Sequence, residues 1–338
     1  MTDATPAFEE AVGGTRIKDL GLSIAGTALE PTIAEFTAEL ERAGIGRIRP
    51  RFYLSDEWGV PMDTIAIAIP FYLARPELAR LHLQQTGHIE GLDRLRMLRY
   101  LRHEMGHVLG YAYKLYLRAD WREHFGSIDD PYVEGYRPKP FDRRFVRHLP
   151  GWYAQKHPDE DWAETFAVWM TPGGTWRSDY EKWPVALAKL EYCDRVVREV
   201  AEQPPLVTTI DLDEDAAEIE STLQEFYKDQ SADGHVLTTS LDELLRDIFG
   251  DIAPDRDQAS SDAATLLRRL RGDLCAATFQ WTGYFPEHVH SLVNQLADRA
   301  EARRLAYAVD REQIAIVSLT AMVTTLAMKY IVDGKHDH

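Results

Sequence analysis

The sequence predicts an α+β domain with a small, mostly antiparallel sheet and a long packed helix, followed by an all-α helical domain. Three observations carry this expectation. Two short runs rich in β-branched and aromatic residues, RIRPRFYL and TIAIAIP, flank the turn-prone SDEWGVP. A broad apolar stripe at helical spacing fills residues 91–116. After Gln203, Pro204 and Pro205 the first helical pattern stops, and the rest of the chain reads as helices.

Taken in order, residues 1–15 are small and polar and are expected to be a flexible N-terminus. They have neither a basic start nor an apolar run, so they read as neither a secretory signal nor an anchor. From Pro31, the residues Ile33, Phe36, Leu40 and Ala43 share one helical face, and Gly44 is a natural stop. The two strands follow, and Pro70 closes the second, where a proline fits a sheet edge. That edge is a candidate for an extended peptide to pair with. In the central helix, Leu98, Leu101, Met105, Val108 and Leu109 continue a stripe begun at Leu92 and Leu95. Residues 126–158 lack periodicity and form a loop longer than a connection requires. EDWAETFAVWM then has helical spacing up to TPGG, and another helix follows through VALAKLEYCDRVVREVAE.

This reading gives a catalytic-type domain over 16–203, an acidic linker over 204–220 and a helical domain over 221–338. In the last, Ser240 and Glu243 have capping-box spacing, and further helices centre on Leu266, Val289 and Ile314. The apolar run from Ile314 to Met328 is broken by Ser318, Thr320, Thr324 and Thr325. It is shorter than the roughly 18 to 20 residues of a spanning helix, so a core or oligomerisation helix is expected.

Composition narrows the setting. The chain has 338 residues, 45% of them hydrophobic and 28% charged, which is ordinary for a globular protein. Cys193 and Cys275 are too few for a disulfide framework and are expected to be reduced. A formal charge of -17 argues against nonspecific binding to nucleic acid or an anionic bilayer. A cytoplasmic location follows as an expectation.

The chemistry concentrates in HEMGH. Residues four apart share a helix face, so His103 and His107 can direct both imidazoles at one ion. Glu104 then reaches a zinc-bound water as general base without being a ligand. Gly106 costs roughly 1 kcal/mol in a helix interior, which implies close approach of another backbone. A catalytic Zn2+ needs a third protein ligand and an open position. In HPDEDWAETFAVW, Glu160 and Glu164 are again four apart; Glu160 is the expected third ligand, and Glu164 the partner that fixes the His103 tautomer. Arg137, Lys139, Arg143 and Arg144 read as solvated charge, and His82, His88, His124, His148 and His157 as structural.

HEMGH followed by E-x-x-A-E on a later helix resembles the gluzincin branch of the zincins, which includes the catalytic domain of anthrax lethal factor. LSDEWG, IAIPFYLARPEL, LRHEMGH, YRPKPFDRRF, GWYAQKHPDEDWAETFAVWMTPG and KLEYCD together resemble a bacterial family of zinc-binding metallopeptidases, over roughly residues 15 to 200. The resemblance implies a zincin-like fold and hydrolysis of peptide bonds in a peptide or protein substrate. It also implies a catalytic role for Tyr153, which stands seven residues before Glu160. Two other readings stay open: a zincin-fold binding protein without turnover, and a peptidase whose C-terminal helices recruit a partner or build a homo-oligomer.

Overall fold

The computed structural model describes residues 13–133, 136–230, 241–251 and 260–333. The protein is mixed but mostly helical, 60% helix against 7% strand, so helix faces position its side chains. It divides into two compact units, Met1–Leu81 with Ile89–Phe226, and His82–His88 with Tyr227–His338.

In the first unit α1 (Leu29–Arg42) is followed by β1 (Arg51–Ser55) and β2 (Ala66–Pro70). Then come α2 (Pro76–Thr86), α3 (Arg94–Ala112), α4 (Ala119–Phe125), α5 (Pro158–Met170), the short α6 (Trp176–Asp179) and α7 (Pro184–Ala201). Helix α8 (Leu223–Gln230) leads out of it. A kinked 3-10 segment, Pro150–Gln155, precedes α5.

The sheet corrects an expectation. β1 and β2 pair in parallel, in register from Arg51 with Ala66 to Ser55 with Pro70. Two runs so close in sequence suggest a hairpin, because parallel strands ordinarily need a longer crossover. Here residues 56–65 loop back, and Ala68 N–H donates to the Gly59 carbonyl (2.8 Å). All five β2 residues are buried, as a parallel strand covered on both faces should be. The Gly59 contact takes up the Ala68 donor that an added peptide strand would need.

The segment expected to be a linker over 204–220 is part of the first unit. Leu206 and Val207 N–H donate to Ala112 O (2.8 and 3.1 Å), Ile65 N–H donates to Thr209 O (2.9 Å), and Ala216 N–H to Leu54 O (2.8 Å). Its main chain is the adhesive and its acidic side chains largely face water, which is why composition reads as a linker. At the N-terminus, Gly13 and Thr15 carbonyls accept from Gln224 and Leu223, so residues 13–15 are held; residues 1–12 lie outside the described residues.

The core of the unit is where α3 meets α5. A Cβ on Gly106 would stand 2.7 Å from the Ala163 Cα, so glycine lets the two helix backbones touch. Trp162 Nε1 donates to the Gly106 carbonyl at 2.7 Å. Buried ion pairs tie on the neighbours: Arg102 grips Glu39 of α1 through two bonds of 2.9 and 2.8 Å, and Lys189 of α7 holds Asp161 at 2.5 Å.

The second unit is not all-α. Around α9 (Leu241–Ile248), α10 (Ala263–Thr282), α11 (Pro286–Ala302) and α12 (Glu312–Asp333) it carries a three-stranded antiparallel sheet. Its strands are β3 (Gly250–Asp251), β4 (Ser260–Asp262) and β5 (Leu305–Ala308), each too short to show an alternating pattern. Ser240, the expected cap, lies outside the described residues. Helix α12 is longer than its apolar run suggests, and Val309–Ile331 is long and apolar enough to cross a membrane, with 22% of its most apolar 18-residue window buried. Its inner stripe, Ala315, Leu319, Val323 and Ala327, packs into the core of the unit. Cys193 and Cys275 are free and buried.

Candidate metal centre

The middle of α3 and the first turns of α5 build the site. Asp93 caps α3 by accepting from Arg96 N–H, and the helix then carries Arg99, His103 and His107 at successive four-residue steps. Helix α5 begins with Pro158 after the cap residue His157, whose Nδ1 accepts from Asp159 N–H. Asp159, Glu160 and Asp161 fill its first turn, where the helix dipole favours carboxylates.

His103 Nε2, His107 Nε2 and Glu160 Oε2 converge. The nitrogens are 3.2 Å apart and lie 3.0 and 3.3 Å from the carboxylate oxygen. Nitrogen and oxygen donors about 2.0 Å from a tetrahedral cation such as zinc are separated by about 3.3 Å along each edge. The triad therefore matches three corners of such a site, and these three residues could hold one metal ion.

The outer nitrogens fix the tautomers. His103 Nδ1 is 3.0 Å from Glu164 Oε1, and His107 Nδ1 is 2.9 Å from Asp159 Oδ2. An ionised carboxylate only accepts, so each Nδ1 carries a proton, which leaves each Nε2 as the nitrogen that would meet a metal once its own proton is displaced by the ion. Glu164 is itself held by the His148 and Leu149 N–H groups at 3.0 and 2.9 Å. Asp159 also accepts from the Tyr111 hydroxyl, and Glu160 Oε1 accepts from Tyr132 at 2.6 Å.

The electrostatics follow from this packing of charges. Burial pulls the His103 imidazole down, but hydrogen bonds to Glu160 and Glu164 outweigh it and hold it at about 9. Burial likewise works against His107, yet Asp159 and Glu160 raise it well above its usual value. A field that favours cations here favours a metal dication. Glu104 sits beside the triad, 4% exposed, and burial pushes its carboxyl up to about 7 against the pull of the two imidazoles.

Tyr153 arrives through a kink. Gly151 (φ 79°) and Trp152 (φ 61°) both take left-handed conformations, an uncommon state for a tryptophan. The turn brings the Tyr153 ring edge-on to His103, centroids 5.6 Å apart, and its hydroxyl 3.5 Å from that of Tyr132.

The structure thus gathers His103, Glu104, His107, Tyr153, Glu160 and Glu164 in one place. Asp159, Tyr132 and Tyr111 were missed. Tyr111 stands four residues after His107 and Asp159 adjoins Glu160, so both had a positional signal; Tyr132, in the aperiodic loop, had none. Arg137, Lys139, Arg143 and Arg144 are exposed, with Arg144 paired to Asp142. Comparison with known protein families, with curated proteins and with solved structures finds no match for this chain.

Proposed function

We propose that the chain is a zinc-dependent peptidase with a zincin-like first domain, acting on a peptide or protein substrate. The observation that supports this best is the convergence of two imidazole nitrogens and one carboxylate oxygen beside a second, buried carboxylate that is outside the donor set. His103, His107 and Glu160 would hold the ion. When bound, zinc supplies Lewis-acid activation of water and of a carbonyl oxygen. Glu104, whose burial keeps its affinity for protons near neutrality, takes the proton of the attacking water and passes it to the departing amine. Tyr153 stays protonated, because burial raises its hydroxyl well above the usual value, and it donates to the oxygen on which charge develops. Glu164 and Asp159 keep the two imidazoles in register throughout.

Metal content and turnover test the reading together. After dialysis against metal-free buffer, elemental mass spectrometry should find near-stoichiometric zinc in the wild type, with Glu160→Gln losing it more readily than Glu164→Gln. Glu104→Gln should keep its zinc and lose cleavage of a peptide library. A wild type that takes up no zinc ends the proposal. Zinc retention without cleavage by the wild type would make the chain a metal-binding protein instead.

A further inference from the structure

The two helix faces that carry the metal donors continue beyond them. On α3, Leu95 and Arg99 precede His103 at four-residue steps; on α5, Val168 follows Glu164 at the same step, and Thr171 caps the helix end. Together with Arg147, Trp176 and Tyr180, these residues line an open depression of about 430 Å³. The segment 147–149 serves both places: His148 lines the depression, while its N–H and that of Leu149 hold Glu164.

The charge of this depression runs against that of the protein. In a chain of formal charge -17, three guanidinium groups, Arg99, Arg102 and Arg147, line it against one carboxylate, Asp179. Arg102 is committed to Glu39 and Asp179 accepts from Thr175 Oγ1. Arg147 is oriented by the Trp152 ring, 4.0 Å from its guanidinium carbon. The Arg99 side chain makes no hydrogen bond or ion pair among the described residues. His148 adds no charge, since burial pulls its imidazole down to about 4. Trp176 and Tyr180 add flat apolar wall, and the Tyr180 hydroxyl accepts from Arg147 N–H at 2.9 Å, which fixes that wall to the arginine.

We propose that this depression binds a small organic anion, a carboxylate or phosphate ester on a flat apolar body, with its charge between Arg99 and Arg147 and its body against Trp176 and Tyr180. The inference does not rest on the metal. Arginine forks recognise carboxylate and phosphate alike, so the anion is named by its shared chemistry.

Phenyl phosphate and benzoate are the probes, followed by ligand-observed NMR on metal-free and zinc-loaded full-length protein. At least one of them should bind saturably in both preparations, and the tighter identifies the anion. Replacing both arginines, Arg99→Gln with Arg147→Gln, should weaken that binding by about tenfold or more, whereas Arg143→Gln, an exposed arginine of the same loop, leaves it unchanged. Both replaced side chains are exposed, and an unchanged melting temperature of the double variant confirms its fold. Absence of saturable binding by either probe overturns the proposal. So does binding that survives the double replacement, or that Arg143→Gln weakens equally, which would reduce it to diffuse surface charge.

Discussion

Gly106 shows how far a single residue decides the site. Its missing side chain lets α3 touch α5, and that contact sets the separation between the imidazoles of one helix and the carboxylates of the other. In Gly106→Ala the new methyl would meet backbone, which cannot swing aside, so the helices must part. We expect a loss of about 1–3 kcal/mol in urea unfolding, with weakened zinc retention in the fraction that stays folded. Alanine's better helix propensity offsets at most about 1 kcal/mol of this. Asp159→Asn tests a subtler dependence, since the amide keeps the size of the side chain and loses the charge that orients His107. Zinc affinity measured against a competing chelator should fall about 10- to 100-fold with little change in melting temperature. The His103, His107, Glu160 and Glu164 grouping is legible in sequence because each pair lies on one helix, where spacing alone fixes direction. Tyr132 and the Leu149 amide are not, because their positions depend on how an aperiodic loop folds back over α5.

Among the elements, α1, α3, α5 and α7 are legible within a few residues of their ends, and β1 and β2 are legible except for their direction. In contrast, α2, α4, α8 and the three short strands of the second unit are not anticipated from the sequence. The five buried residues of β2 do carry the mark of a parallel strand, a continuous apolar run without alternation. Proximity in sequence argued for a hairpin and prevailed. The acidic stretch after Pro205 misleads for a different reason: it binds through main-chain groups, which composition does not reveal. It crosses Ala112, the last residue of the helix that carries both histidines, and reaches back to Leu54 of β1. A chain cut after Gln203 therefore loses at least four main-chain hydrogen bonds that one cut after Phe226 keeps. At roughly 1 kcal/mol each, the shorter chain should be less stable by a few kcal/mol and melt on the order of 10 °C lower in calorimetry. Equal melting temperatures would mean that the segment is a passive tail.

At the scale of the whole molecule, acid acts in two opposing ways. Lowering the pH from neutrality relieves the self-repulsion of a chain carrying -17, which favours the compact state. Buried histidines held neutral oppose this. Burial, with a smaller contribution from the nearby His88, pulls His82 down to about 3, and burial draws His290 down to about 4. For such a group the unfolded chain takes up the proton first. Its contribution to stability is complete above the unfolded value near 6.5 and is lost as the pH falls toward the folded one. By about pH 5 the cost from His82 alone is on the order of 2 kcal/mol. His82 is 8% exposed, with Tyr227 against its ring, so solvent does little to screen this term. Wild type and His82→Gln share every carboxylate, and comparing their urea unfolding at about pH 6.5 and about pH 5 cancels the charge relief common to both. The fall in stability between those two conditions should be smaller in His82→Gln by about 1–2 kcal/mol, whatever its stability at neutral pH. Identical falls would mean that the folded protein already accepts a proton on His82, through an opening of the second unit that admits water to the ring.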